Sequence, residues 1–154
     1  MPLKKILCPI DFSPGSEQAM RIAIRIANEV DAELVLAHVW YLPATAWANA
    51  YPLAPNVIDE MIVDDERGLE AAMRAATELG AKRVTSKLLT GPPAAQILET
   101  LADAAFDLVV IGTHGRTGLS RILLGSVAEQ VVRHAPCSVL VVRPDSKVAP
   151  FDHI

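Results

Sequence analysis

Two short stretches of this chain carry the residues that could do chemistry. The first is Gly112 to Ser126, Gly-Thr-His-Gly-Arg-Thr-Gly-Leu-Ser-Arg-Ile-Leu-Leu-Gly-Ser, which contains Gly112, Gly115, Gly118 and Gly125. Backbone without Cβ atoms can come close to a ligand and turn sharply. Gly112 ends an apolar run and Gly125-Ser126 opens an amphipathic one. A helix that starts there offers free N–H groups and about half a positive charge, which suits a phosphate. Ser126 adds a hydroxyl, and His114, Arg116 and Arg121 add donors or positive charge. From spacing alone, a glycine-rich surface turn with arginines on it remains an equal reading.

The second stretch is Pro9-Ile10-Asp11-Phe12-Ser13. An acid just past the carboxyl end of a strand stands where open α/β sheets hold ligands. Asp11 can accept from ribose hydroxyls or help hold Mg²⁺ through water. Taken alone, it reads rather as the organiser of the turn before a helix, as Asx residues often are. Local charge favours an anion at the first stretch: Gly112 to Arg143 has four arginines against Glu129, whereas Asp59 to Glu78 has seven acids against two arginines. The P-loop pattern G-x-x-x-x-G-K-[ST] is absent, and so is G-x-G-x-x-G after the first strand. His38, His114, His134 and His153 lack metal-ligand spacing, and no catalytic residue is assigned. His38 reads as a packed strand-end residue. Cys8 reads as a small core hydrophobe, and Cys137 has no evident activating partner.

The elements that must position these stretches alternate along the chain. Leu3 to Ile10 reads as a buried strand. Ser13 caps a helix with Pro14 at its first position, and Ala19, Ile22, Ala23, Ile26, Ala27 and Val30 give it an apolar face. Glu33 to Val39 is a second strand. Trp40 to Asn56, with Pro43, Pro52 and Pro55, reads as a long loop whose Trp40, Trp47 and Tyr51 cover the next helix. That helix carries Leu69, Ala72, Met73, Ala76 and Leu79 and stops at Gly80. Val84 to Leu89 is a third strand, and Gly91-Pro92-Pro93 opens a third helix. Asp107 to Ile111 is a fourth strand, a helix with Val127, Ala128 and Val131 follows, and Ser138 to Val142 is a fifth strand. Such alternation implies an α/β fold, an open parallel sheet with helices on both faces. One domain is expected over residues 1–143, with a loose tail at 144–154 that holds Pro144 and Pro150.

Composition narrows the classes further. The chain has 154 residues and a net charge of −4, so it lacks the broad basic face that duplex nucleic acid demands. With 51% hydrophobic and 21% charged residues it can bury a core. No apolar stretch reaches the roughly 18 residues of a membrane span, and the first apolar run is too short for a signal peptide. Two cysteines make no disulfide framework. A cytoplasmic protein without nucleic-acid or membrane partners is expected.

The chain resembles a universal stress protein of the small, single-domain type. The likeness runs from Lys-Lys-Ile-Leu-Cys-Pro-Ile-Asp-Phe-Ser, through His38-Val39, to Pro136-Cys137-Ser138-Val139-Leu140-Val141-Val142. Gly112, Gly115, Gly125 and Ser126 match the G-x2-G-x9-G-[ST] pattern of that family's nucleotide-binding branch. The resemblance implies the strand order 3-2-1-4-5, a homodimer, and ATP (or ADP or AMP) with Mg²⁺ held mainly by the phosphates. It implies Pro9, Ile10, Asp11 and Val39 against adenine and ribose, and Gly112, His114, Gly115, Arg116, Gly125, Ser126 and Val127 around ribose and phosphates. Strands 1 and 4 would then flank a crevice with Asp11 on one lip and Gly112 on the other. In that order the last strand is an edge, and its apolar residues Val139, Leu140, Val141 and Val142 invite pairing with a second copy. The function implied is a nucleotide-dependent regulatory module in the stress response. A weak Mg-dependent ATPase or phosphotransferase on the same site is the alternative.

Overall fold

A computed structural model describes residues 2–49, 55–114 and 124–145. Its elements run in chain order as β1 (Lys5–Pro9), α1 (Pro14–Val30), β2 (Glu33–Trp40), α2 (Ala44–Asn49), α3 (Pro55–Glu78), β3 (Val84–Thr90), α4 (Pro93–Asp103), β4 (Leu108–Gly112), α5 (Ser126–His134) and β5 (Ser138–Val142). The five strands form one parallel sheet in the order β3-β2-β1-β4-β5. The expected α/β fold and strand order are therefore found.

Strict alternation along the strands divides the core in two, because successive side chains point to opposite faces. Ile6, Cys8, Leu34, Leu36, Leu108 and Val110 pack with Ala19, Ala23 and Ala27 of α1 and Leu69 and Ala76 of α3. Leu7, Val35, Ala37, Val109 and Ile111 pack with Ile97 and Leu101 of α4 and Ala128 and Val131 of α5. Both faces of the central strands are thus dry, as a parallel sheet requires.

The start of α1 forms as its residues dictate. Ser13 is extended (φ −79°, ψ 159°), its hydroxyl accepts from the Ser16 N–H, and Pro14 fills the first helical position. Asp31 ends the helix in the left-handed region (φ 55°). At the opposite end of the sheet from the candidate site, the Asp107 carboxylate accepts the N–H groups of Lys4 (2.8 Å) and Lys5 (3.0 Å).

One expectation is corrected. The segment from Trp40 to Asn56 is not a continuous loop, since α2 occupies Ala44–Asn49 and α3 already begins at Pro55. Pro43 and Pro55 flank helices rather than break them, and Pro52 lies outside the described residues. Pro43 accepts the Ala46 N–H through its carbonyl, the alanines between favour helix, and Pro55 sits where a missing N–H costs nothing. Trp40 is half-buried, whereas Tyr51 and the Trp47 side chain lie outside the described residues. Residues 146–154 of the expected tail also lie outside them.

Candidate functional site

The carboxyl ends of β1 and β4 lie side by side, because Ile6 pairs with Leu108 and Leu7 with Val109. The chain leaves β1 toward α1 and β4 toward α5, so the two connections part and open a crevice. The first turn of α1, just past Asp11, meets the Gly112–His114 end of the glycine segment there. A methyl group on Gly112 would lie 3.0 Å from the backbone carbonyl of Gly15, and one on Gly15 would lie 3.0 Å from the carbonyl oxygen of His114. Glycine at both positions lets the first turn of α1 touch the end of β4, backbone to backbone.

Asp11 is held by its neighbours. One carboxylate oxygen accepts from the Ser13 N–H (3.0 Å) and from the Ser13 hydroxyl, and the Asp11 N–H donates to Ser16 Oγ (3.3 Å). The turn-organising role is therefore present, and it holds the carboxylate in place just past the end of β1. Pro9 is buried at the end of β1, and Val39 is half-buried near the end of β2, packed toward the α4–α5 side. Ile10 differs. Its side chain is buried in the α1–α3 core, its N–H donates to the Ala37 carbonyl (2.8 Å), and its carbonyl accepts from His38. The exposed edge of Ile10 lines a groove of about 310 Å³ between α1 and α3, together with Phe12, Met20, Gly68 and Ala72.

The other lip is built by a return of the chain. The Gly125 N–H donates to the Thr113 carbonyl (2.7 Å), and the Thr113 N–H donates to the Val142 carbonyl (2.9 Å). The start of α5 is thereby brought to the end of β4. A methyl group on Gly125 would sit 2.9 Å from the Thr113 oxygen, so this closure needs glycine. Gly125 is also the helix N-cap and supplies no side chain to the first turn. The earliest N–H groups of α5, at exposed Ser126 and half-buried Val127, lack intrahelical acceptors, as at any helix start. His114 is half-buried, with Nδ1 2.9 Å from Thr113 Oγ1. Gly115, Gly118, Arg116 and Arg121 lie outside the described residues.

The arrangement suits anion binding and polar recognition better than nucleophilic chemistry. Burial pushes the Cys8 thiol up to about 12, which keeps it protonated and inert. Burial raises Cys137 too, with the Asp107 charge acting in the same direction. The expected edge strand is found at the edge: Leu140 is exposed, Val139 and Val141 are half-buried, and Val142 is buried. Among the described residues no helix is long and apolar enough to cross a membrane.

One contact near the site escaped the sequence reading. His38 is packed at the end of β2 as expected, but its Nδ1 lies 2.8 Å from the Ile10 carbonyl and its Nε2 lies 2.8 Å from Asp65 Oδ2 on α3. The available signal was Asp65 itself, a charged residue in the inward stripe of α3 with Leu69, Ala72 and Ala76.

Comparison with known proteins agrees with this architecture. The model of the universal stress protein family matches residues 2–143. A universal stress protein of Methanocaldococcus jannaschii is 40% identical over 94% of this chain and 84% of its own length. The solved universal stress protein UspA from Lactobacillus plantarum superimposes with a TM-score of 0.77 at 27% identity, covering 93% of this chain and 99% of that one. A universal stress protein solved in complex with cAMP is alike in fold, with a TM-score of 0.69 at 23% identity over 94% of this chain and 100% of its own. A parallel sheet in the order 3-2-1-4-5, a glycine segment closing on its fourth strand and a match along almost the whole sequence lead to one conclusion: the chain belongs to the universal stress protein family.

Proposed function

We propose that this protein binds an adenine nucleotide, with ATP as working ligand, in the crevice between the ends of β1 and β4. The observation that carries the reading is the close approach of the α1 start, just past the Asp11 turn, to the Gly112 end of the glycine segment, backbone against backbone at Gly15 and Gly112. Those two stretches are the ones whose chemistry suits ribose and phosphate. The first turn of α5, opened by an N-cap without a side chain, would take phosphate oxygens on the N–H groups of Ser126 and Val127. Asp11 would accept from the ribose hydroxyls, with Pro9 and Val39 forming the apolar floor. His114, Gly115 and Arg116 would lie along the phosphates. The cAMP complex concerns a protein alike in fold alone, and it adds only that this architecture can hold such a ligand.

Mg²⁺ fits the site only as a companion of the phosphates. One Asp11 oxygen is already occupied by Ser13, and a hard cation wants about six oxygens. Phosphates and water would supply most of these, with Asp11 acting through water. His114 stands beside the α5 start with Nδ1 2.9 Å from Thr113 Oγ1, and occupancy rather than turnover is the proposed output. The protein would act as a cytoplasmic, nucleotide-dependent regulatory module of the stress response. It would pair with a second copy through β5, where the exposed Leu140 lies on an unpaired edge.

Mass spectrometry of the protein as purified tests the ligand directly, since a retained nucleotide identifies itself. Replacement of Gly115 by a bulky residue is expected to abolish binding while leaving the domain folded. Binding that survives unchanged would move the site elsewhere. Incubation with Mg·ATP and measurement of ADP separates module from enzyme. Sustained turnover that is lost in Asp11→Ala would replace the regulatory reading with the ATPase one.

A further inference from the structure

The turn that carries Asp11 is not held by its own strand alone. The β1–β2 ladder ends with the Ile10 N–H on the Ala37 carbonyl. The next acceptor, the Ile10 carbonyl, is met by a side chain instead, His38 Nδ1 at 2.8 Å. The other ring nitrogen of His38 meets Asp65 of α3, also at 2.8 Å, and the ring is almost wholly buried. Phe12 then folds back over this pair. Its backbone is left-handed (φ 64°), a conformation that bulky residues adopt only when their surroundings impose it. Its ring lies 4.2 Å, centroid to centroid, from the His38 ring. On the α3 side the Phe12 ring presses on Gly68, where a methyl group would fall 2.7 Å from Cζ. An uninterrupted path of contacts therefore runs from α3 to the residue just before Asp11.

We propose that His38 is a positioning residue of the nucleotide cleft, a strut that carries the placement of α3, through Asp65, into the Ile10–Ser13 turn. This rests on the nucleotide reading of the cleft given above. The proton count sharpens it. The Ile10 carbonyl can only accept, so the two bonds of the ring need two protons when Asp65 is a carboxylate, one on each ring nitrogen. An asparagine at 65 can instead donate to Nε2 while Nδ1–H still donates to Ile10. The strut then survives with a neutral ring. A leucine at 65 fills similar space and leaves Nε2 without a partner in a buried place. Positioning thus predicts that Asp65→Asn is tolerated and Asp65→Leu is not, whereas a role for the charge itself predicts that both fail.

The test measures Mg·ATP affinity for the parent, Asp65→Asn and Asp65→Leu, together with amide hydrogen exchange on the nucleotide-free proteins. Asp65→Asn is expected to bind within about twofold of the parent and Asp65→Leu about tenfold more weakly, a difference near 1.4 kcal/mol. Exchange is expected to rise in Asp65→Leu alone, at the amides of Ile10, Asp11 and Ser13. Their present acceptors are the Ala37 carbonyl, Ser16 Oγ and the Asp11 carboxylate. Parent-like affinity and exchange in Asp65→Leu would overturn the strut, as would equal weakening in both variants. If the parent binds no Mg·ATP, the nucleotide reading falls by itself, and exchange at the three amides still decides whether the strut exists. Should Asp65→Leu not fold, Gly68→Ala displaces the Phe12 ring without weakening the helix, and the same three amides must then exchange faster for the proposal to stand.

Discussion

Gly112→Ala is the most direct probe of the crevice. The new methyl carbon would lie 3.0 Å from both the carbonyl carbon and oxygen of Gly15, and 3.3 Å from the Ser16 nitrogen. All three atoms are backbone in the first turn of α1, so no side chain can rotate away. Over-packing of this kind costs about 1–3 kcal/mol. The loss of backbone freedom in the unfolded chain returns about 0.4–1 kcal/mol. The net expectation is a destabilisation of about 1–2 kcal/mol, or a fall in Tm of roughly 2–8 °C for a domain of this size. Relief comes by moving the start of α1 away from β4, which widens the cleft, so nucleotide affinity is expected to fall as well. Gly80→Ala is the control. Gly80 is left-handed (φ 89°), a methyl group added there would meet no atom within 4 Å, and it is far along the chain from either lip. It loses about 1 kcal/mol to backbone conformation with no effect on binding. Calorimetry and urea unfolding measure the stabilities, and titration calorimetry measures the affinities. A Gly112→Ala protein with parental Tm and parental affinity would refute the close approach on which the site is built.

Other outcomes can be checked separately. In the native protein a thiol reagent at about pH 8 is expected to spare Cys8, which burial holds protonated up to about 12, and both cysteines are expected to react once the chain is unfolded; mass spectrometry of the native protein showing Cys8 modified as fast as in denaturant would contradict its burial. The backbone N–H groups of Lys4 and Lys5 hold the Asp107 carboxyl below its ordinary value, so it contributes stability that is complete above 3.8 and is lost as the pH falls through its lowered folded value. Asp107→Ala is therefore expected to lower the urea midpoint at neutral pH, with the gap from the parent closing in acid; a gap that does not depend on pH would count against the charge. On the proposed β5 pairing the parent sediments as a dimer in analytical ultracentrifugation and Leu140→Arg, which places a cation on the exposed edge, as a monomer; a monomeric parent or an unaltered dimer would refute that pairing.

Local rules made much of the fold legible. Ser13 and Pro14 announce α1 because a cap and a fixed φ act within a few residues, and the uninterrupted apolar runs of β1 and β4 announce burial on both faces. The glycine spacing was equally visible. Its structural reason was not, since Gly112 is small on account of Gly15, a residue 97 positions earlier in the chain, brought near only by the strand order. The prolines near α2 misled because the same residue that breaks a helix interior also begins a helix well, and only the observed boundaries tell which applies. Asp65 was hidden among the acids of α3. Its partner His38 lies on another element, and no local pattern records which helix face meets which strand end.

The hydrogen bond between Gly125 and Thr113 has an evolutionary consequence. The residues between them begin and end at one point, so whatever connects the two leaves the sheet geometry untouched. Lengthening such a connection is cheap, each doubling adding only about 0.6 kcal/mol to its closure. The sheet therefore asks little of the residues between them, and the constraint on Gly115 and on the spacing comes from the proposed ligand rather than from the core.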